Sequence, residues 1–467
     1  MNYDSIVIGG GFAGLTAANV LASGGLKVIV LEAGSSNSYF CNSRISTGAL
    51  HVAFQTPETK SDILYSAIME TSENTADPDL ARAFVQEIPE TLEWLRSMGA
   101  EFEQHPRRAN PIPMFSPLRE MRAGLDWETS GPNVFLGRLS TELIAKGGHI
   151  QLGSRVHEIL SSEGNIIGVE YETQPGESVK IQAPNVIIAD GGFQANLHLL
   201  SNYLQKNPEK ICQRNARTGT GDGLTMALKL GAATTNMDTF YGHVLSRDAL
   251  FNDNLWPYPQ LDVLCGDGIV ISTDGKRFAD EGHGGICLAN QIAKLVDPLG
   301  ATAIIDHAIW EDAKSMDLVP PNPALIENGG TIWQANTLIE LARAAKLDSQ
   351  RTLETVVEYN QAIENGNTER LSIPRSINIQ AAKKIDTPPF YAIPLCAGIT
   401  VTSGGLKVDP HCRVLNEQGT IISGLYGIGS SVGGLEGGSK ASYVGGLMKA
   451  FVFGLIAGKA IIKGVPR

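Results

Sequence analysis

Short apolar runs closed by glycine turns recur along the chain. Residues 4–8 form a short, mostly apolar run, Gly9-Gly10-Gly11-Phe12-Ala13-Gly14 follows, and residues 15–22 continue at helical spacing, which predicts strand, tight turn and helix. A second apolar run, 27–31, ends in Glu32. Residues 77–98 read as a helix with Asp77 near its start and Gly99 past its end. Residues 150–159, 166–171 and 179–183 alternate as strands around a Glu163-Gly164-Asn165 turn, predicting a small antiparallel layer. Another strand at 185–189 leads into Asp190-Gly191-Gly192-Phe193, and helical spacing returns at 332–344. Near the end, the turn Gly424-Leu425-Tyr426-Gly427-Ile428-Gly429-Ser430 precedes a long apolar stretch, 441–462. That stretch approaches the length of a membrane span, but Lys449 sits in its middle and Gly445, Gly446, Gly454 and Gly458 suit close packing on a sheet. It reads as a buried core helix, and no membrane span is expected.

The first glycine turn carries the first chemical inference. A G-x-G-x-x-G between strand and helix sets a pyrophosphate on the helix N-terminus: Gly9 permits the turn, Gly11 lets the backbone approach the phosphates, and Gly14 allows close helix-to-strand packing. Glu32 stands about 20 residues on, where an acid accepts a hydrogen bond from a ribose 2′-hydroxyl and would repel a 2′-phosphate. The turn Asn42-Ser43-Arg44-Ile45-Ser46-Thr47-Gly48 is polar and built of small residues that can run past a flavin ring.

Composition removes several function classes. The chain has 467 residues, 43% of them hydrophobic, enough for two or three domains of about 150 residues each. A net charge of −12 with no basic run argues against nucleic acid or an anionic membrane as partner, so an anionic substrate would need a local cluster of positive charge. Six cysteines without a CxxC pair argue against a dithiol, zinc or disulfide site, and no metal is expected. That cysteine usage suits a reducing compartment, and with no signal-peptide pattern at the N-terminus the expected location is the cytoplasm.

Further motifs follow in order: Ala189-Asp190-Gly191-Gly192, Gly219-Thr220-Gly221-Asp222-Gly223, Gly275-Lys276-Arg277-Phe278-Ala279-Asp280-Glu281 and Gly404-Gly405-Leu406-Lys407-Val408-Asp409. With these, the chain resembles over essentially its whole length the flavoprotein family of fumarate reductases, succinate dehydrogenases, L-aspartate oxidase and 3-ketosteroid dehydrogenases. The resemblance implies an α/β fold: a Rossmann-like FAD-binding domain with a parallel central sheet, plus an inserted α+β substrate-capping domain. It implies FAD held by Gly9, Gly11, Gly14, Glu32, Ala33, Asn42, Ser43, Thr47, Gly48, Val156, Ala189, Gly191, Gly429 and Ser430. Members that link flavin covalently carry a histidine where Asn42 stands, which implies non-covalent FAD. Fumarate reductases carry His-His-Thr-Met-Gly-Gly, whereas this chain reads Thr400-Val401-Thr402-Ser403-Gly404-Gly405. Their proton-donating arginine is matched here by Trp310, and their substrate-clamping arginine by Lys440. Fumarate reduction by those residues is therefore not expected. Gly398-Ile399-Thr400-Val401-Thr402 and Asn42-Ser43-Arg44 look more similar to tricarballylate dehydrogenase and related desaturases. This implies dehydrogenation of a carbon–carbon single bond beside a carboxylate or ketone of a small substrate, with electrons passing to an unidentified acceptor. Reduction of an activated double bond and a flavin oxidase are the alternatives.

The nucleotide-type motifs divide the chain into a first FAD-binding part, 1–237, a capping domain, 238–371, and a returning FAD-binding part, 372–467. Dehydrogenation needs a base and donors for charge developing on a carbonyl. The catalytic candidates are Tyr443 beside the last glycine turn, Tyr241 and His243 at the opening of the cap, Arg122, and Lys440 with Glu436 near enough to pair with it. Arg119 and Arg44 are further guanidiniums able to hold a carboxylate. Which tyrosine or arginine is the base stays open.

Overall fold

Ser5–Ile8, buried throughout, pairs in parallel with Val28–Leu31 on one side and Asn185–Ile188 on the other. Burial on both faces is why Ile6–Ile8, Val28–Leu31 and Val186–Ile188 are unbroken apolar runs that do not alternate. His149–Gln151 and Ile421–Gly427 extend this sheet in parallel, and Arg413–Leu415 closes one edge antiparallel. The computed structural model describes residues 3–105, 111–174, 176–316, 318–377 and 381–464.

Helix Phe12–Ser23 follows the first strand and packs along helix Gly446–Gly464. A Cβ at Gly454 would lie 2.8 Å from Thr16 Cβ, and one at Gly458 would lie 2.7 Å from Val20 Cγ1. These glycines, expected to face a sheet, instead allow two helices to cross at close range. Among the described residues no helix is long and apolar enough to cross a membrane.

The antiparallel layer is present as Arg155–Ser162, Asn165–Gln174 and Glu177–Gln182, with Glu163 and Gly164 at positive φ in its first turn. Its first strand starts later than the spacing suggested. Gly153, at φ 62°, breaks the run and leaves 149–151 to the parallel sheet. The helix expected over 332–344 is likewise shorter. Trp333–Ala335 is a strand, and Leu338–Ala344 begins only after Thr337, whose hydroxyl accepts the Glu340 N–H as an N-cap.

A second sheet is organised on one long buried strand, Phe390–Thr402. Phe240–Ser246, Thr302–Ile305 and Trp333–Ala335 pair with it antiparallel, Cys212–Gln213 pairs parallel, and Ile269–Ile271 adds to Thr302–Ile305. Expected boundaries at 237 and 371 cut across this sheet, because Cys212–Gln213 and Phe390–Thr402 both belong to it. A bulge sits between Tyr241 and Gly242: Tyr241 opposes Val401, Gly242 opposes Ile399, and Thr400 has no partner in the ladder. Bulges re-aim groups beside sites, and here Thr400 faces the junction between the two sheets' loops.

Candidate active site

The glycine turn is held from several sides. Gly9, at φ 102°, takes a conformation only glycine adopts freely, and a Cβ there would meet Ala189 O at 2.6 Å. Gly11 is the N-cap of helix Phe12–Ser23, and a Cβ there would meet only Ser43 Oγ, at 3.2 Å. The Glu32 carboxylate accepts the Gly10 N–H at 2.7 Å and the Gly34 N–H at 2.8 Å. Tyr39 donates its hydroxyl to Gly10 O, and Ser43 Oγ accepts the Phe12 N–H. Burial raises the Glu32 pKa from the ordinary carboxylate value. Each of its oxygens keeps a lone pair beyond the backbone bond it already accepts.

A cavity of about 840 Å³ runs from this turn to the C-terminal loop. All the expected FAD contacts line it except Gly14 and Gly48. Gly14 lies behind the turn, and Gly48, at φ 83°, accepts the Phe115 N–H. The lining fits a dinucleotide: bare glycine backbone at a helix N-terminus, a carboxylate one strand away, and open space over Gly11. Asn42 serves a different purpose. Its Oδ1 accepts the Ala216 N–H and its Nδ2 donates to the orphan Thr400 carbonyl, tying the flavin loop to the second sheet.

Asp190 lies where the cradle meets the C-terminal turn. It accepts from the Gly223 N–H and from Ser431 Oγ, and desolvation pushes its carboxyl up to about 6. Because the folded value lies above the ordinary carboxylate value of about 3.9, this group's contribution is fully present below that value. It is lost as pH rises through about 6. Thermal midpoints measured with FAD in fixed excess are expected to fall between pH 4 and 6.5 in the wild type, and Asp190→Asn is expected to flatten that slope.

Four of the side chains at the far end form a connected chain. Tyr241 and Tyr443 stack with ring centroids 3.6 Å apart and planes 10° from parallel. The Tyr241 hydroxyl lies 3.0 Å from His243 Nε2, and His243 Nδ1 lies 2.5 Å from Asp262 Oδ2. The Tyr443 oxygen accepts the Gly446 N–H at 2.7 Å. Burial, with Tyr241 and Glu436 close by, holds the Tyr443 hydroxyl well above the usual tyrosine range. Tyr443 is thus a hydrogen-bond donor at neutral pH.

Positive charge at the cavity comes from one arginine the sequence offered, Arg119, and one it did not, Arg214. Arg122 is exposed on the surface, paired with Asp126 at 2.8 Å, and Lys440 pairs with Glu73 at 3.5 Å. Neither lines the cavity. Arg44 turns to Asn37 O and Asn133 over the Tyr39 ring. Trp310 packs in the second sheet's core against Tyr391. Instead Arg119 and Arg214, both buried, flank the Tyr258 ring at 5.7 and 5.6 Å. Arg119 donates to Ile45 O, while Arg214 donates to Thr400 Oγ1 at 2.9 Å and to Pro257 O. Burial lowers the Arg119 pKa from the usual arginine value, and the Arg214 charge lowers it further. Arg119 Nε and the Tyr258 hydroxyl are buried without a hydrogen-bond partner among the described residues, and both residues line the cavity. Arg214, Tyr258 and Asp262 escaped the sequence reading. Their only local signal is polarity inside apolar surroundings.

Residues 4–442 match the family described as FAD binding domain. The chain is 24% identical over 469 residues to NADH:fumarate oxidoreductase of Klebsiella pneumoniae (strain 342), covering 99% of this chain but 48% of that protein. It is also 24% identical to fumarate reductase (cytochrome) of Shewanella frigidimarina, over 98% of this chain and 77% of that one. The chain thus spans about half the length of the first of these relatives. Its fold is that of 3-ketosteroid delta1-dehydrogenase from Sterolibacterium denitrificans, with a TM-score of 0.76 at 20% identity, covering 99% of this chain and 100% of the other. With a glycine cradle, a ribose-side carboxylate and a match spanning nearly the whole sequence, the chain belongs to the FAD binding domain family.

Proposed function

We propose that this enzyme dehydrogenates a carbon–carbon single bond beside a carboxylate or ketone of a small substrate. One observation carries the reading: a single cavity joins the nucleotide cradle to a stacked tyrosine pair and to two buried arginines. Bound FAD supplies the hydride acceptor. It is held without a covalent link in this reading, since both ends of the Asn42 amide are already engaged.

Arg119 and Arg214 hold the substrate's carboxylate or carbonyl oxygen, giving Arg119 Nε and the Tyr258 hydroxyl the acceptor they lack. Charge-assisted bonds of this kind are the strong ones in a site closed to water. The Gly446 N–H occupies an acceptor lone pair of the Tyr443 oxygen, leaving the hydroxyl proton to donate to a substrate oxygen as negative charge develops there. Tyr241, stacked alongside, takes the proton from the neighbouring carbon. The six cysteines are free, which suits a reducing compartment such as the cytoplasm. The electron acceptor is a separate partner.

A second reading, reduction of an activated double bond, uses the same atoms in reverse and is favoured by the names of the two relatives above. One experiment separates the two. Purified protein is mixed anaerobically with tricarballylate, succinate and cyclic keto acids, and the flavin band is followed. Bleaching is expected, and Arg214→Met is expected to weaken substrate binding by about 10- to 100-fold, the equivalent of roughly 1.5–3 kcal/mol for a bond to a charged group. Arg122→Met, on the surface, is expected to change nothing. Failure of every saturated compound, with reoxidation of dithionite-reduced protein by enoates, would install the reductase instead.

A further inference from the structure

We propose that Asp262 is the positioning residue of a proton relay, holding His243 as the Nδ1–H tautomer so that Nε2 takes the Tyr241 hydroxyl proton. This rests on the carbon–carbon chemistry proposed above and names the group that completes it.

The tautomer follows from the partners. A carboxylate only accepts, so the 2.5 Å contact to Asp262 requires the proton on Nδ1 and leaves Nε2 as acceptor toward the hydroxyl 3.0 Å away. Asp262 is itself fixed. Its Oδ1 accepts the Val244 N–H at 2.8 Å, so one carboxylate grips both the strand backbone and the ring that strand carries. It also lies against the first turn of helix Gly285–Ala293. A Cβ at Gly285 would fall 1.9 Å from Asp262 Cγ, so glycine is what makes room for the carboxylate. On the strand, a Cβ at Gly242 would meet Gly398 O at 2.1 Å. That close approach, at the bulge, sets Tyr241 and His243 together on the cavity side.

The protons balance within the relay, and the two electrons would leave with the hydride that bound FAD accepts. The substrate C–H bond breaks, its electron pair stays with the substrate, and the proton passes to the Tyr241 oxygen while the Tyr241 proton passes to His243 Nε2. Asp262 keeps its charge and stabilises the imidazolium, as the orienting third member of a general-base chain does. Among the described residues, the charged and titratable groups facing the relay include Asp262 on one side and Tyr443 on the other, with Glu436, Arg214 and His51 beside Tyr443. Behind Asp262 lie Cys265, its thiol held far above its usual range, and Glu281.

The test compares wild type with Asp262→Asn, which keeps the shape, in FAD-loaded protein. Nitrogen-15 NMR of the His243 ring is expected to show Nδ1–H in wild type and Nε2–H in the variant, whose amide can donate to Nδ1. Flavin bleaching by the substrate that bleaches wild type is expected to slow about 10²- to 10⁴-fold, the usual contribution of a positioned base. The acidic limb of its pH profile is expected to move to lower pH, because the imidazolium loses its partner. An Nε2–H wild type, or a variant with an unchanged pH profile, overturns the relay. If no compound bleaches the wild type, the carbon–carbon reading fails while the tautomer comparison still decides the role of Asp262.

Discussion

Gly14→Ala is expected to yield a folded protein that purifies colourless. A Cβ at this position would lie 2.0 Å from Gly9 O and 3.1 Å from Val7 Cγ1. Neither neighbour has room to yield: Gly9 is packed in turn against the Ala189–Asp190 backbone, 2.6 Å from where its own Cβ would stand. Helix Phe12–Ser23 must therefore lift from the strand, carrying its N-terminus and the Gly11 backbone away from the phosphates they are placed to meet. The loss expected is at least about 100-fold in FAD affinity, or roughly 2.7 kcal/mol, read from absorbance at the flavin band and from titration of the stripped protein. Gly137 supplies the control. It is an exposed glycine in helix Gly131–Ala145 with nothing within 4 Å of its missing Cβ. Gly137→Ala is expected to keep the flavin and gain about 0.5–1 kcal/mol in stability from helix propensity.

That contrast explains what the sequence makes readable. The nucleotide half is legible because backbone demands are local. Gly9, Gly11 and Gly14 fall within six residues and Glu32 ends the next strand, so spacing alone carries the geometry. The substrate half is assembled from residues far apart. Tyr241 and His243, two apart on one strand, were readable as a pair, but Asp262 comes from a different element and Arg214 and Tyr258 from others again. Arg119 and Arg122 looked equivalent because residues 116–130 form no regular element whose period would say which one faces inward. The family resemblance matches Lys440 to a clamping residue. Instead Gly437, Gly438 and Ala441 at positive φ turn the loop so that it meets Glu73 outside. Trp310 was matched in the same way, yet the short helix His307–Asp312, capped by Asp306, carries it into the core.

The buried charge in the last helix is the other place where one substitution has a large expected effect. Glu436 was expected beside Lys440, but it meets Lys449 at 2.5 Å, with both side chains no more than 3% exposed. Lys449 also donates to Val432 O, and Glu436 accepts the Val444 and Gly445 N–H groups. The pair thus pins the loop bearing Tyr443 to the helix that follows it. Lys449→Met removes the cation and leaves a carboxylate buried with two amide donors, and breaking a pair in this way costs about 3–5 kcal/mol. Denaturant midpoints are expected to drop accordingly, with substrate turnover falling as the Tyr443 loop loosens. The double change Glu436→Gln with Lys449→Met leaves no net charge to desolvate and preserves an acceptor for Val444. It is expected to recover most of the lost stability. If the double variant is as unstable as Lys449→Met alone, the loss comes from packing of the lysine stem and not from the orphaned charge, and the electrostatic account of this loop fails.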